Sequence, residues 1–142
     1  MAQTVAVFNQ KGGSTKTTTS VSLAAALAER GARVLLLDLD SQGSASGWLG
    51  IETNGRELPD AVLERSDLRP LIYQTPYGFD FIPNGHYFAA FEKTAPATLG
   101  FERLLRDAIA RLPGDTWHYV LLDCPPSISA VTVNALVAAR WT

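Results

Sequence analysis

The chain has 142 residues, enough for a sizeable hydrophobic core, and we predict that residues 1–142 form one domain. Hydrophobic residues make up 46% of the sequence and charged residues 18%, as in ordinary soluble α/β proteins, and the net charge of -2 provides no overall attraction to nucleic acid or to an anionic membrane. The single cysteine, Cys124, excludes an internal disulfide and favours a reducing, cytoplasmic setting, and no apolar run approaches the ~18 residues of a membrane-spanning helix.

Continuous apolar runs predict strands that are buried on both faces of a parallel sheet, at residues 4–8, 33–37 and 118–122. Residues 17–30, which are rich in Ala and Leu and are followed by Gly31, predict a helix between the first two strands. The sequence also predicts helices at 58–65, 99–112 and 131–140, and short strands at 71–74 and 79–82. Alternating strands and helices predict an α/β fold with a doubly wound, mainly parallel sheet, whose ligand lies at the carboxyl ends of the strands.

A glycine-bearing loop follows the first predicted strand and leads into the first predicted helix. Its sequence, FNQKGGSTKTTT from Phe8 to Thr19, places two lysines around a pair of glycines. The backbone N–H groups of such a loop, together with the positive end of the following helix, form a cradle for phosphate. We predict that Lys16 binds the β- and γ-phosphates of a nucleotide and that the Thr17 hydroxyl coordinates Mg²⁺. The alternative is a glycine turn with solvated lysines before a buried helix.

The loop fits a variant of the phosphate-binding pattern better than the general one. The general pattern, GxxxxGK followed by S or T, needs glycine where this chain has Gln10 and Thr15. The variant pattern, KGGxxK followed by T, fits, and it adds a second lysine, Lys11, at the head of the loop.

Carboxylates follow the other two strongly apolar runs. The second run leads into Asp38 and Asp40, within LLLDLDSQGSAS, and the third leads into Asp123, within LLDCPPS. Carboxylates at the carboxyl ends of parallel strands can hold Mg²⁺ and position an attacking water. A single aspartate of this kind is as often a turn or a helix cap. Three of them beside a loop with two lysines favour a site that hydrolyses a nucleotide.

The order of these motifs, ending in LLDCPPS and TVNAL, resembles that of the ParA/Soj-type partition ATPases of the deviant Walker A (ParA/MinD) family of P-loop proteins. The resemblance extends over nearly the whole chain. Gln42 and Gly43, after the second motif, favour the partition branch over the MinD branch. The resemblance implies that ATP and Mg²⁺ are the cofactors of a Mg-dependent ATPase, in a cytoplasmic, nucleoid-associated bacterial protein.

The resemblance also implies a role for each motif residue. Lys16 acts on the nucleotide of its own subunit and Lys11 on that of the partner in a dimer, while Asp40 orients the hydrolytic water. The metal ligands are Thr17, Asp38 and Asp123, and Asp38 also supports Asp40. The residues that contact the nucleotide are Lys11, Gly12, Gly13, Ser14, Thr15, Lys16, Thr17 and Thr18.

The implied function is an ATP-dependent dimerisation switch for plasmid or chromosome partition, which hydrolysis resets. The implied partners are a second copy of the chain, a ParB-like centromere-binding protein and non-specific DNA, with no membrane. Two alternatives stay open. One is a nucleotide-binding regulatory or interaction module without effective turnover. The other is a MinD-like positioning ATPase, although the C-terminal amphipathic membrane helix of that branch is not visible in this sequence.

The chain is shorter than typical members of the family, which continue beyond the position of Trp141 with further strands. Those later elements supply the adenine pocket, part of the dimer surface and the basic patch that binds DNA. We therefore expect a truncated or short form without the DNA-binding surface. Its sheet is expected to be incomplete on the C-terminal side, with the first strand beside an unfilled position.

Thr15 stands where the family usually has glycine. A β-branched residue resists positive φ and brings a Cβ close to the phosphates, so either this position keeps a negative φ or the site binds nucleotide more weakly. We predict that Thr15→Gly raises the affinity for ATP measured by calorimetry. Unchanged or weaker binding would show that Thr15 is accommodated without strain.

Overall fold

The computed structural model describes residues 1–9, 15–40, 42, 44–51, 57–84 and 88–142. The strands in this part of the chain form one sheet and are β1 (Gln3–Val7), β2 (Val34–Asp38), β3 (Tyr73–Gln74), β4 (Asp80–Ile82) and β5 (Tyr119–Asp123). The three long apolar runs therefore form β1, β2 and β5, with bounds shifted by one residue from those predicted.

The strands lie in the order β1-β5-β2-β4-β3, and all neighbouring pairs except β3 with β4 are parallel. Because β5 lies between β1 and β2, Asp123 is paired with both Val7 and Asp38. The predicted doubly wound, mainly parallel sheet is confirmed. Its carboxyl edge brings together the ends of the three strands that precede the sequence motifs.

The α-helices in the described residues are α1 (Thr15–Glu29), α2 (Ser44–Leu49), α3 (Leu58–Leu63), α4 (Phe88–Thr94), α5 (Leu104–Ala110) and α6 (Ala130–Ala138). Alternate residues of β2 enter two different core clusters: Leu35 and Leu37 pack with residues of α3 to α6, and Leu36 packs with Val21 and Ala24 of α1. Both faces of the sheet are thus covered, which explains why its strands are continuously apolar. Across the described residues, no helix combines the length and the apolar character needed to cross a bilayer.

Two predicted elements are only about half as long as expected. The predicted helix 99–112 is α5 preceded by a 3₁₀ helix at Phe101–Arg103, because Gly100 has a φ of 72°, which lies outside the helical region. The predicted strand 71–74 retains only the two residues of β3 after a 3₁₀ helix at Arg69–Leu71. Pro70 lies in the first turn of that helix, a position that suits its fixed φ.

Two short helices, α2 and α4, were not predicted. The first contains Ser44, Ser46 and Gly47, which have low intrinsic helix propensity. The second is only seven residues long and is anchored by the buried side chains of Phe88 and Phe91. Both helices are stabilised by contacts with the rest of the protein, which a local sequence pattern does not reveal.

Thr15 is the first residue of α1, so its backbone is helical and its φ is negative. The sequence left two alternatives for Thr15, a negative φ or weaker binding of nucleotide, and the structure has the negative φ. The backbone-strain argument for a gain in affinity on Thr15→Gly no longer applies.

The end of the chain pairs with β1. Trp141 forms a parallel bridge with Val5, the N–H of Ala6 donates to the carbonyl of Trp141 at 2.8 Å, and the N–H of Arg140 donates to the carbonyl of Thr4 at 2.8 Å. The position beside β1 that was expected to be unfilled is thus partly occupied, by one residue of the same chain.

Two helix ends have the same hydrogen-bond pattern but different residues at the left-handed position. After α3, Arg65 has a φ of 54°, and the N–H of Ser66 donates to the carbonyl of Ala61 at 2.9 Å. After α1, Gly31 has a φ of 84°, and the N–H of Ala32 donates to the carbonyl of Leu27 at 3.0 Å. This is the Schellman motif, whose left-handed position favours glycine.

We predict that Arg65→Gly raises the free energy of unfolding by about 1 kcal/mol, because glycine has no Cβ to oppose the left-handed conformation. Gly31→Ala is the matched control and should lower it by about 1 kcal/mol. A Cβ at Gly31 would meet no atom within 4 Å, so only the backbone conformation is penalised. Urea denaturation measures both changes, and an Arg65→Gly protein no more stable than the wild type would contradict this account.

Candidate functional site

The first turn of α1 and the ends of β2 and β5 bring polar and charged side chains together at the carboxyl edge of the sheet. Lys16 and Thr17 are 7% and 6% exposed. Asp38 and Asp123, the last residues of their strands, are directly paired and fully buried. Burial of charged groups costs free energy unless they are paired and hydrogen-bonded, so the partners of these groups are informative.

Two hydroxyl groups of α1 bind the carboxylate of Asp123. Thr17 Oγ1 donates to Asp123 Oδ2 at 3.0 Å. Ser20 Oγ lies 3.1 Å from Asp123 Oδ1 and 3.1 Å from the carbonyl of Lys16. Residues three positions apart lie on one face of a helix, so this polar face fixes the start of α1 against the end of β5.

The ammonium group of Lys16 faces Asp40, two residues beyond the end of β2. Lys16 Nζ lies 3.4 Å from Asp40 Oδ2, and both side chains are buried. The other carboxylate oxygen of Asp40, Oδ1, accepts a hydrogen bond from the N–H of Gln42 at 3.0 Å. One oxygen of Asp40 therefore supports its own loop, while the other faces the lysine.

Asp38 organises the loop that contains Asp40. Asp38 Oδ1 accepts a hydrogen bond from the N–H of Asp40 at 3.1 Å, and Oδ2 accepts from the N–H and the hydroxyl of Ser46 at 3.0 and 2.8 Å. Burial raises the pKa of Asp38 to about 6, although the hydrogen bonds from Ser46 and Asp40 act in the opposite direction. Asp38 thus holds the main chain at Asp40. Its predicted roles, as a metal ligand and as a support for Asp40 in hydrolysis, stay predictions.

The site carries more negative than positive charge among the described residues. The site contains the carboxylates of Asp38, Asp40 and Asp123 and the ammonium group of Lys16, which lies beside Asp40. Burial raises the pKa of Asp123, while the charge of Lys16 lowers it. Burial also raises the pKa of the neighbouring Cys124 thiol to about 12. That thiol therefore stays protonated and serves as a small packing residue.

The structure brings Lys16, Thr17, Asp38, Asp40 and Asp123 together, as the sequence predicts. Thr18 is exposed. The remaining predicted nucleotide contacts lie outside the described residues, and they are Lys11, Gly12, Gly13, Ser14 and the side chain of Thr15. Their roles stay predictions.

Three polar residues of the site were not singled out from the sequence. Ser20 had a usable signal, because it lies three residues after Thr17 on the predicted helix. Ser46 lies within the LLLDLDSQGSAS motif, but only the fold of the loop shows that it binds Asp38. Asn84 gave no signal, since its position depends on the pairing of β4 with β2.

The donor set fits a hard divalent cation such as Mg²⁺. Mg²⁺ prefers oxygen ligands, takes few of them from the protein and keeps several waters. Thr17 and Asp123 place a hydroxyl and a carboxylate side by side, and the cation would offset the excess of carboxylates. Within the described residues, no group of three or more His, Cys, Asp or Glu side chains is arranged to hold a metal by itself. A metal ion that is coordinated by both the protein and a bound nucleotide is consistent with that arrangement.

Residues 2–141 match a family model that is described as an AAA domain. The chain is 39% identical over 142 residues to the sporulation initiation inhibitor protein Soj of Bacillus subtilis and 40% identical over 139 residues to the chromosome partitioning protein ParA of Caulobacter vibrioides. A crystal structure described as cobyrinic acid a,c-diamide synthase from Mycobacterium smegmatis, with bound ATP analog and magnesium, matches with a TM-score of 0.93 and 37% identity.

These matches cover nearly all of this chain but only part of the similar proteins. The alignments span 98% of the chain and 56% of Soj, and 95% of the chain and 52% of ParA. The structural match spans 99% of the chain and 58% of the synthase chain. The chain thus spans about half the length of the curated relatives that it matches.

The raised pKa of Asp38 predicts a pH dependence of stability. The pKa of Asp38 is about 6 in the folded protein, whereas the ordinary value is 3.8. The folded protein therefore holds this proton more tightly than the unfolded chain does, and the contribution of Asp38 to stability falls as the pH rises through this window. We predict that the free energy of unfolding of the wild type, relative to Asp38→Asn, declines by up to ~3 kcal/mol between these two pKa values.

Asp67→Asn is the control, because Asp67 is exposed and Arg69 lowers the pKa of its carboxyl. The wild type relative to that variant should show the opposite and weaker trend, gaining stability as the pH rises. Urea denaturation across the pH range measures both differences. A difference between the wild type and Asp38→Asn that does not vary with pH would contradict the assignment.

Proposed function

Because this chain belongs to the AAA-domain family and is a ParA/Soj-type P-loop protein, we propose that it binds ATP with Mg²⁺ and hydrolyses it. The observation that carries the proposal is a buried lysine in the first helical turn, held by Asp40 beside a Thr17–Asp123 hydrogen bond. The ATP analog and magnesium in the similar crystal structure support the choice of ligand.

Binding of ATP would change the partner of Lys16. Its ammonium group pairs with Asp40 Oδ2 at 3.4 Å in this structure. The β- and γ-phosphates carry more negative charge than one carboxylate and attract the same ammonium group. Lys16 would therefore turn from Asp40 to the phosphates, and Asp40 Oδ2 would become free to accept another hydrogen bond.

Asp40 would then orient the attacking water. The water oxygen forms a bond to the γ-phosphorus while the bond between that phosphorus and the bridging oxygen breaks, which yields ADP and phosphate. The N–H and Oδ1 of Asp40 would stay hydrogen-bonded to Asp38 and Gln42, so Oδ2, which faces Lys16 in this structure, would be the oxygen that accepts from the water. Catalysis of this kind depends on positioning and charge stabilisation.

Thr17 and Asp123 are the residues that would hold Mg²⁺, which supplies positive charge beside the phosphates. The predicted third ligand, Asp38, is less available, since both of its oxygens accept hydrogen bonds from Asp40 and Ser46. We propose that Asp38 acts mainly by holding the loop in place, next to the metal.

We further propose that the nucleotide controls association of two copies of the chain, with Lys11 of each copy reaching the nucleotide of the other. The name of one relative, the chromosome partitioning protein ParA of Caulobacter vibrioides, supports a role in partition of chromosomes or plasmids. A ParB-like protein and DNA would be the partners in that role. In this proposal ATP binding favours the dimer and hydrolysis releases it.

The second candidate function is a nucleotide-binding module without turnover. Turnover separates the two candidates directly. Retention on DNA that requires ATP and weakens with salt would favour the partition role.

We predict that Lys16→Ala weakens binding of a non-hydrolysable ATP analogue with Mg²⁺ by more than about 10-fold, because it removes the cation that faces the phosphates. Asp40→Ala should keep analogue binding but lower kcat by about 100-fold or more, because the water loses its acceptor. Calorimetry measures the first effect and release of phosphate measures the second.

The matched controls are Lys93→Ala and Asp67→Ala, which remove an exposed lysine and an exposed aspartate far in sequence from the site. Both should behave as the wild type does. Negligible turnover in the wild type together with tight analogue binding would favour the module without turnover. Absence of analogue binding by the wild type would contradict the proposal as a whole.

A further inference from the structure

The side-chain amide of Asn84, two residues after β4, binds the loop that carries Asp40. Asn84 Nδ2 donates to the carbonyl oxygen of Asp40 at 2.7 Å, and the N–H of Asn84 donates to Ser46 Oγ at 3.0 Å. Asn84 is 6% exposed. Leu37 is paired with Ile82, the last residue of β4, so Asn84, two residues beyond β4, lies beside the start of the loop that follows β2.

Asn84 completes the set of contacts that fix Asp40. The N–H of Asp40 donates to Asp38, its carbonyl accepts from Asn84, and its Oδ1 accepts from Gln42. The remaining polar atom, Oδ2, faces Lys16. The main chain on both sides of the Asp40 Cα is therefore held, and the direction of the carboxylate follows from it.

We propose that Asn84 is a positioning residue for Asp40, and this inference rests on the proposed ATPase activity. By fixing the carbonyl of Asp40, Asn84 sets where Oδ2 lies when Lys16 has turned to the phosphates. A neutral amide suits this role, because it donates a hydrogen bond without adding charge to the Lys16–Asp40 pair. Misplacement of a catalytic group by about 1 Å is enough to lower a rate by about 100-fold.

Asn84 is also the link between two parts of the site. Ser46 Oγ accepts from the N–H of Asn84 and donates to Asp38 Oδ2 at 2.8 Å, so one chain of hydrogen bonds joins Asp38, Ser46, Asn84 and Asp40. Loss of the Asn84 side chain leaves the buried carbonyl of Asp40 without that donor while the backbone bond to Ser46 is retained. The main chain at Asp40 is then held by the hydrogen bond from its N–H to Asp38, and its carbonyl is no longer held by Asn84.

Asn134 provides a control with the same chemistry elsewhere in the fold. It is 1% exposed, its Nδ2 donates to the carbonyl of Ala130 at 3.0 Å, and its Oδ1 accepts from the N–H of Leu105 at 3.0 Å. The second of these hydrogen bonds joins α6 to α5, and neither of them involves Asp40. Asn134→Ala therefore reports the cost of losing a buried amide without a direct effect on the Asp40 loop.

The experiment compares Asn84→Ala, Asn84→Asp and Asn134→Ala with the wild type in the full chain. Asn84→Asp keeps the size of the side chain but replaces the donor by a carboxylate. Both Asn84 variants should lower kcat by about 10-fold to 100-fold while the affinity for a non-hydrolysable ATP analogue with Mg²⁺ changes by less than about 3-fold. Asn134→Ala should lower the Tm but leave kcat within about 2-fold of the wild type.

Hydrogen exchange gives a second readout that does not need turnover. The Asn84 variants should accelerate exchange in residues 38–46, whereas Asn134→Ala should accelerate it in α5 and α6. The inference is overturned if the Asn84 variants leave both kcat and exchange in 38–46 unchanged, or if Asn134→Ala lowers kcat equally. If the wild type itself has no turnover, the proposed ATPase activity fails. Exchange in residues 38–46 then still decides whether Asn84 fixes the loop.

Discussion

The structure depends on the pairing of one buried ammonium group with carboxylates at the carboxyl edge of a parallel sheet. Lys16 lies 3.4 Å from Asp40, while Asp38 and Asp123 are opposite each other at the ends of β2 and β5. Charges buried in this way persist only when hydrogen bonds and opposite charges compensate them. The hydroxyls of Thr17, Ser20 and Ser46 provide those hydrogen bonds. The excess of negative charge that is left explains the fit to a divalent cation.

Helix α1 serves the core and the site with two different faces. Val21 and Ala24 are buried against the sheet, and this packing fixes where the helix lies. The first turn and Ser20 face the end of β5, so the same packing also places Lys16 and the hydroxyl of Thr17. The apolar residues of the core therefore determine the distances within the site. This is why a substitution far from Lys16 can be expected to alter the chemistry.

Much of the fold and of the site follows from local sequence. The continuous apolar runs at β1, β2 and β5 predict a parallel sheet, and the rule that ligands lie at its carboxyl edge brings Lys16 and the aspartates together. What local sequence does not predict depends on contacts between distant residues. Asn84 reaches Asp40 only because β4 pairs with β2, and helices α2 and α4 are stabilised by tertiary packing. The pairing of Trp141 with β1 depends in the same way on the assembled sheet.

We propose that Lys16 exchanges one anionic partner for another, a carboxylate in the free protein and phosphate oxygens in the complex. The most direct measurement is a crystal structure of the chain with a non-hydrolysable ATP analogue and magnesium. We expect Lys16 Nζ to lie within hydrogen-bond distance of the β- and γ-phosphates and to have left Asp40 Oδ2. Lys16 still paired with Asp40, with the analogue bound elsewhere or not at all, would contradict the account.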